Sequence, residues 1–310
     1  MKTLDIIGIG DASMDILVSV DRLPAHDDKV KGKILGKYPG GIISNFLCAA
    51  AKFGASCGGI ICVGNDDYGK TALAELQSYG IDTSRCVIHN DDTYFTITCL
   101  DDSGEKSMLI CMNQTTQPII SEIDFSYLDQ AEFVHMIGTY SDLVRKVGRY
   151  VREKDIRLSV DIERQAFTIP LEERMEICSL AFVAFPNEEG ISYFTGCDQI
   201  AEAAAKMLEW GTKIVVVTRG SNGVDVFTKD TYFHVPAIPV LAKDTTGAGD
   251  TFNACFLSCL VKGYALEQCA WLATASAACQ IQKIGARTGM VSEEEALHFL
   301  NAEGVEITCI

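Results

Sequence analysis

The feature that most constrains this chain is a rhythm. Strand-length apolar runs recur at 4–9, 58–63, 133–136, 157–160, 180–185 and 213–217. Between them lie segments with helical spacing, at 43–53, 70–79, 142–153 and 200–210. A strand that is apolar on both faces needs cover on both faces. Alternation with helices then predicts a mostly parallel central sheet between two helical layers, a three-layer α/β/α core. The 310 residues, 48% of them hydrophobic, suffice for one large domain, and no repeat, linker or low-complexity stretch divides them. A single domain over 1–310 is the economical reading.

Two regions break the rhythm. Residues 16–37 read as strand, loop, strand, and residues 93–111 read as a hairpin around the turn "DDSG". Both alternate apolar and polar residues, as half-exposed strands do. Together they predict a small antiparallel sheet standing off the main one, fit for a lid or a dimer surface.

Composition narrows the function. Acidic residues outnumber basic ones 42 to 26, a net charge of −16, and such a surface repels a nucleic-acid backbone. No apolar run approaches membrane-spanning length, and "MKTLDIIGIGD" reads as a first strand rather than a signal peptide, which points to the cytoplasm. The 13 cysteines are scattered through apolar segments without a C-x-x-C pair and read as reduced core thiols rather than metal ligands.

In a parallel sheet, ligands bind beyond the carboxyl ends of the strands. The residues there are Gly10, Asp11, Ser13 and Asp15; Asp161; Pro186, Asn187 and Glu188; Thr218, Arg219, Gly220 and Gly223; and finally Asp244 and Asp250. They share one rim if the sheet is parallel. A dinucleotide fingerprint is excluded because its third glycine falls on Ser13, and a P-loop is absent. Asp15 taken alone reads as a turn residue. "PGGIISN" (39–45) reads as a turn feeding a helix, with Asn45 in its first turn.

The stretch "KDTTGAGDTFNACF" (243–256) says most. The helix after Gly249 is apolar on almost every side, so its N-terminus is held rigidly. Its first N–H groups lack intrahelical partners and its dipole favours an anion. Gly247 and Gly249 let an anion approach the backbone closely. No capping box forms, because Gly249 stands three residues after Thr246. An aspartate beside a phosphate-sized anion is costly unless it serves as a base for an attacking hydroxyl.

These residues resemble the ribokinase-like (PfkB) carbohydrate kinases. "DTTGAGDTF" (244–252) is similar to that family's signature, and "GIGDASMDI" (8–16), "PGGIISNFLCAAAKFGA" (39–55), "VGNDDYG" (63–69) and "TRGSNGV" (218–224) resemble its other segments in order. The resemblance implies an ATP-dependent sugar kinase with a β lid. It implies Asp250 as catalytic base, with the N–H groups of Gly247, Ala248 and Gly249 as an anion hole. It places Ser13, Asp15, Gly40, Gly41 and Asn45 on the sugar, and Asn187, Thr218, Gly220 and Gly223 along the nucleotide. Asp244 and Thr246 match positions that hold a monovalent cation in some members, with "KIGARTG" (283–289) completing that site, so K+ joins ATP and Mg2+ as an implied cofactor. The expected partners are a small sugar and ATP, with a homodimer through the lid.

One departure stands out. The family's N-x-x-E becomes Asn187 followed by Gly190, leaving Glu188 or Glu189 to serve Mg2+ through water. "GARTGM" resembles segments of ketose-directed members, which favours a ketose or pentose acceptor. Two alternatives stand: a kinase for a nucleoside or an acidic or sulfonated sugar, and a catalytically impaired sugar-binding regulator. Arg287 and Arg164 are the residues for an anionic substituent, although each reads first as a solvated surface charge.

Overall fold

A computed structural model describes residues 2–101, 106–164 and 169–307. The chain begins β1 (Leu4–Asp11), β2 (Ser13–Val20), β3 (Gly32–Gly40), α1 (Ile42–Lys52), β4 (Cys57–Gly64), α2 (Asp67–Ser78), β5 (Val87–His89), β6 (Phe95–Leu100) and β7 (Lys106–Cys111). It continues α3 (Phe125–Leu128), β8 (Ala131–Ile137), α4 (Ser141–Glu153), β9 (Arg157–Ile162), α5 (Leu171–Leu180), β10 (Ala181–Pro186), α6 (Glu188–Thr195), α7 (Ile200–Trp210) and β11 (Ile214–Thr218). It ends β12 (Val224–Phe227), β13 (Tyr232–Val235), α8 (Ala248–Val261), α9 (Leu266–Gln280) and α10 (Glu293–Ala302).

Nine strands form the central sheet in the order β13-β12-β11-β10-β9-β8-β1-β4-β5. Every pairing from β5 to β11 is parallel, and only the β11–β12 and β12–β13 pairings are antiparallel. Two hydrophobic clusters cover its faces. One joins the sheet to α1, α2, α8, α9 and α10 through residues such as Ile43, Leu76, Phe256, Leu272 and Leu300. The other joins it to α3, α4, α5, α6 and α7 through Leu128, Val147, Ile177, Phe194 and Met207. This is the expected three-layer core. From β1 the chain steps one way to β4 and later returns to β8 on the other side. That reversal opens a crevice at the carboxyl ends of the strands.

The second sheet has the order β3-β2-β6-β7. Its outer pairs are antiparallel as expected, but β2 and β6 run parallel, so the sheet is mixed rather than antiparallel. Alternation of polar and apolar residues fixes which face a strand buries and carries no information on its direction. The turn expected at 101–104 lies outside the described residues from 102 onward. The segment 63–69 ties this sheet to the core. Asp66 caps α2 by accepting from Gly69 N (2.8 Å) and also accepts from Thr93 Oγ1 (2.6 Å), just before β6. Among the described residues no helix is long and apolar enough to cross a membrane.

Candidate active site

Three elements meet at the open end of β1. Asp11, in the last position of β1, is buried, and its carboxylate accepts from Ile43 N (2.9 Å), Ile42 N (3.3 Å) and the Tyr94 hydroxyl. It therefore supplies the cap that Gly41, the N-cap of α1, has no side chain to give. Ser13 and Asp15 lie on β2, so Asp15 is a strand residue and not part of a turn. Its Oδ1 accepts from Thr96 Oγ1 of β6 (2.7 Å) and from Ser13 Oγ (3.2 Å). Burial raises the Asp15 pKa against the lowering effect of those two hydroxyls. Gly40 is the register partner of Ser13 across the β2–β3 pair, and a Cβ at position 40 would stand 2.2 Å from Asp15 Oδ2. The strands approach this closely because residue 40 has no side chain.

Asp250 occupies the first turn of α8. The helix N-cap is Gly247, at φ 75°, with no side-chain hydrogen bond to the exposed N–H groups. A Cβ on Gly247 would lie 2.5 Å from the Ala286 carbonyl, whereas one on Gly249 would meet nothing within 4 Å. The helix start is thus clamped on one side and open on the other. Asp250 Oδ2 accepts from Asn45 Nδ2 of α1 (2.8 Å). Burial pushes the Asp250 pKa up to about 8, with Asn45 opposing the rise, Glu163 and Asp11 adding to it, and Arg287 opposing it. Asp161, at the end of β9, is raised well above the usual range by burial, then by Glu163 and Asp250. Glu163 is raised by burial and by Asp11. The site is a cluster of buried carboxylates that raise one another's pKa.

Arg287 corrects the sequence reading. It is buried, 7% exposed, rather than a solvated surface charge. Its Nε donates to Asn45 Oδ1 (2.8 Å), Nη1 to Glu75 Oε2 (2.6 Å), and Nη2 to the Gly40 carbonyl (2.9 Å) and Ser44 Oγ (2.8 Å). The turn at 283–289 folds over the start of α1 and delivers the guanidinium there. Its planar fork holds Asn45, and through it Asp250, in one orientation. Arg164, in contrast, is exposed and pairs at 3.6 Å with Glu189.

The loop before α8 is organised by two residues. Asp244 Oδ1 accepts from Thr246 N (3.0 Å) and Thr246 Oγ1 (2.6 Å), and its Oδ2 accepts from Gly285 N (2.9 Å). Gln280, fully buried at the end of α9, donates to the Gly285 carbonyl (2.7 Å) and accepts from Gly289 N (3.0 Å). Sequence reasoning passed over Gln280, and no local signal distinguishes it within an alanine-rich helix. A cavity of about 380 Å³ lies between this loop and the small sheet, lined by Asp15, Leu17, Tyr38 and Thr98 on one side and Asp244, Thr246 and Ala286 on the other.

At the ends of β10 and β11, Asn187 and Thr218 pair through an isolated bridge, with Gly220 and Gly223 in the turn that follows. Asn187 Oδ1 caps α6 by accepting from Gly190 N (2.6 Å). A Cβ at Gly190 would lie 2.2 Å from the Ile162 carbonyl, so β9 occupies the space a glutamate there would need. Glu188 is paired with Arg219 (2.9 Å) and Glu189 faces solvent. The carboxylates on the Asp250 side are instead Asp161 and Glu163, which follow from β9.

The chain matches the pfkB family carbohydrate kinase over residues 3–293 and belongs to that family. It is accordingly a phosphotransferase acting on an alcohol group. It is 30% identical to a ribokinase of Bacillus subtilis over 303 residues, covering 96% of this chain and 99% of that one. It is 27% identical over 294 residues to an ATP-dependent ribose-1-phosphate kinase of Halopiger xanaduensis, covering 94% and 96% of the two chains. The structure of Arabidopsis thaliana ribokinase complexed with ribose and ATP superimposes with a TM-score of 0.86 at 26% identity, covering 97% of this chain and 99% of that one.

Proposed function

We propose that this protein transfers the γ-phosphoryl group of ATP to a hydroxyl of a small sugar of the pentose or ketose kind. One observation carries the reading: the Asp250 carboxylate stands in the first turn of a rigid, uncapped helix, with open space beside Gly249. A hydroxyl bonded to Asp250 loses its proton there as its oxygen attacks the phosphorus. The N–H groups of Gly247, Ala248 and Gly249 meet the charge that develops on the transferred group. Asp15, steadied by Ser13 and Thr96, and Asn45, steadied by Arg287, hold the acceptor, with the Gly40–Gly41 backbone beneath it. Asn187, Thr218, Gly220 and Gly223 line the nucleotide side.

Magnesium supplies charge neutralisation for the phosphates when it arrives with ATP. Asp161 and Glu163 fit that role better than Glu188, which Arg219 holds, or Glu189, which points away. The hard oxygen donors around Asp244 and Thr246 suit K+. The small sheet acts as a lid that excludes water from the transfer.

Arg287 bears on the acceptor. Its donors are engaged by four protein groups, so an acidic or sulfonated sugar has no claim on it. A nucleoside is the second reading, favoured by Leu17, Leu35, Tyr38 and Leu100 in the cavity beside Asp15. The discriminating experiment is ADP release with Mg2+, with and without K+, across pentoses, ketoses, acidic sugars and nucleosides. Stimulation by a neutral sugar supports the reading. Silence across the whole panel would leave only a sugar-binding regulator.

The pH dependence follows from Asp250. A base must be ionised, and in the free enzyme this one is half protonated near pH 8. The value of kcat/KM, which reports the free enzyme, is expected to rise through an apparent pKa of about 8 and to fall tenfold per unit well below it. A profile flat from pH 6 to 9 would remove Asp250 as the base.

The small sheet also exposes Ile34, Leu35, Met108, Leu109 and Ile110. The outer edges of its strands β3 and β7 have no partner strand within the described chain. We propose that two copies pair through this sheet. Sedimentation velocity is expected to give a dimer that Leu109→Lys dissociates, and a monomeric parent protein would exclude it.

A further inference from the structure

Away from Asp250, three chemically different side chains converge at the β4–β5 edge of the central sheet. Cys62 lies on β4 and is buried, His89 ends β5, and Glu122 ends a short turn of 3-10 helix, Ile120–Glu122. The Cys62 Sγ to His89 Nε2 distance is 3.5 Å, and His89 Nε2 to Glu122 Oε1 is also 3.5 Å. All three ligand atoms lie within 4.8 Å of one another. The N···O separation is long for a hydrogen bond. A tetrahedral ion about 2.3 Å from sulfur and about 2.0–2.1 Å from nitrogen and oxygen places its S and N ligands about 3.5 Å apart and its N and O ligands about 3.4 Å apart. The two separations that involve His89 Nε2 match those values, and the third ligand pair lies within 4.8 Å. Glu122 is steadied from behind, its Oε2 accepting from Ile119 N (2.9 Å).

We propose that Cys62, His89 and Glu122 bind one borderline transition-metal dication of the Zn2+ type. A thiolate and an imidazole select such an ion over Mg2+ or Ca2+, so this site does not compete for the ion that accompanies ATP. Three protein ligands leave a fourth position for water. A ligating thiol gives up its proton to the buffer as the metal–sulfur bond forms, so affinity falls as the pH falls. The ion would staple β4, β5 and the segment that returns from the small sheet to the core. Cys62 is also the register partner of Asp11, which caps α1, so the staple lies one strand from the machinery around Asp250.

The test is a Co2+ titration of the full-length, chelator-stripped protein under anaerobic conditions. The expected result is a thiolate-to-cobalt charge-transfer band that saturates at one equivalent and is bleached by one equivalent of Zn2+. The band is lost in Cys62→Ala and in His89→Asn, and it persists in Cys86→Ala and Cys279→Ala. His89→Asn changes a partly exposed strand end, so it reports even where Cys62→Ala disturbs packing, and its unchanged circular dichroism serves as the folding control. No band, or a band that survives His89→Asn, overturns the proposal.

Discussion

Asp250→Asn is expected to lower kcat by about 10²–10⁴-fold, the usual contribution of a positioned general base, while ATP binding is retained. The amide keeps an oxygen for the Asn45 donor, so the contact between α1 and α8 survives and the loss is chemical. The same substitution has a signature in stability with a defined sign. The Asp250 carboxyl is harder to ionise in the folded protein than in the unfolded chain, its pKa rising from 3.8 to about 8. Below pH 3.8 the group is neutral in both states and costs nothing. As the pH rises toward 8 the unfolded chain gains by ionising and the fold loses that stability. The unliganded variant should therefore match the parent in Tm near pH 4 and exceed it near pH 8. A variant that keeps its turnover would show that Asp250 is not the base. A Tm difference that does not change with pH would show that its carboxyl is not under strain.

Arg287→Met is the second large effect, and it acts on both stability and catalysis. Removing one partner of a buried ion pair costs about 3–5 kcal/mol. The lower end applies, because the Glu75 side chain keeps 27% of its exposure and takes up water. The substitution also leaves the Asn45 oxygen, the Gly40 carbonyl and Ser44 without their shared donor. Asn45 is then free to turn away from Asp250. With the guanidinium gone, one of the influences that hold the Asp250 pKa down is lost. The rising limb of kcat/KM is accordingly expected to move to higher pH, in addition to a fall in its plateau. Arg287→Lys restores the charge but not the fork, so it should recover much of the limb position and little of the plateau. A variant with a lowered Tm but the parent pH profile would reduce Arg287 to a packing residue.

The sequence carried the core well and the contacts poorly, for physical reasons. Apolar runs mark buried strands because burial is a property of each residue alone, and the six that were expected all fall within central strands or within one residue of their ends. Boundaries moved where a polar side chain had structural work to do. β1 extends to Asp11 because that carboxylate caps α1, and α2 begins at Asp67 because Asp66 caps it. The glycine pair and the start of α8 were legible because close backbone approach and an uncapped helix leave local marks. Arg287 did not, since its partner Asn45 is 242 positions away and nothing near "GARTG" records that meeting. The Cys62–His89–Glu122 cluster is invisible for the same reason. Each residue comes from a separate element, and it takes the β4–β5 pairing and the return of the Ile120–Glu122 turn to that edge to bring them together. Gly190 reads from the sequence as a missing glutamate. In the fold the end of β9 fills that space, and Glu163 follows directly after that strand.

In the proposed mechanism Asp250 directs ATP's terminal phosphoryl group onto a sugar hydroxyl rather than onto water. Phosphorus NMR of the enzyme with ATP, Mg2+, K+ and the neutral acceptor that best stimulates ADP release reads this directly. The expected result is a new phosphomonoester resonance that grows in step with ADP and is absent with Asp250→Asn. ADP accompanied only by inorganic phosphate, or a phosphomonoester formed equally well by Asp250→Asn, would contradict it.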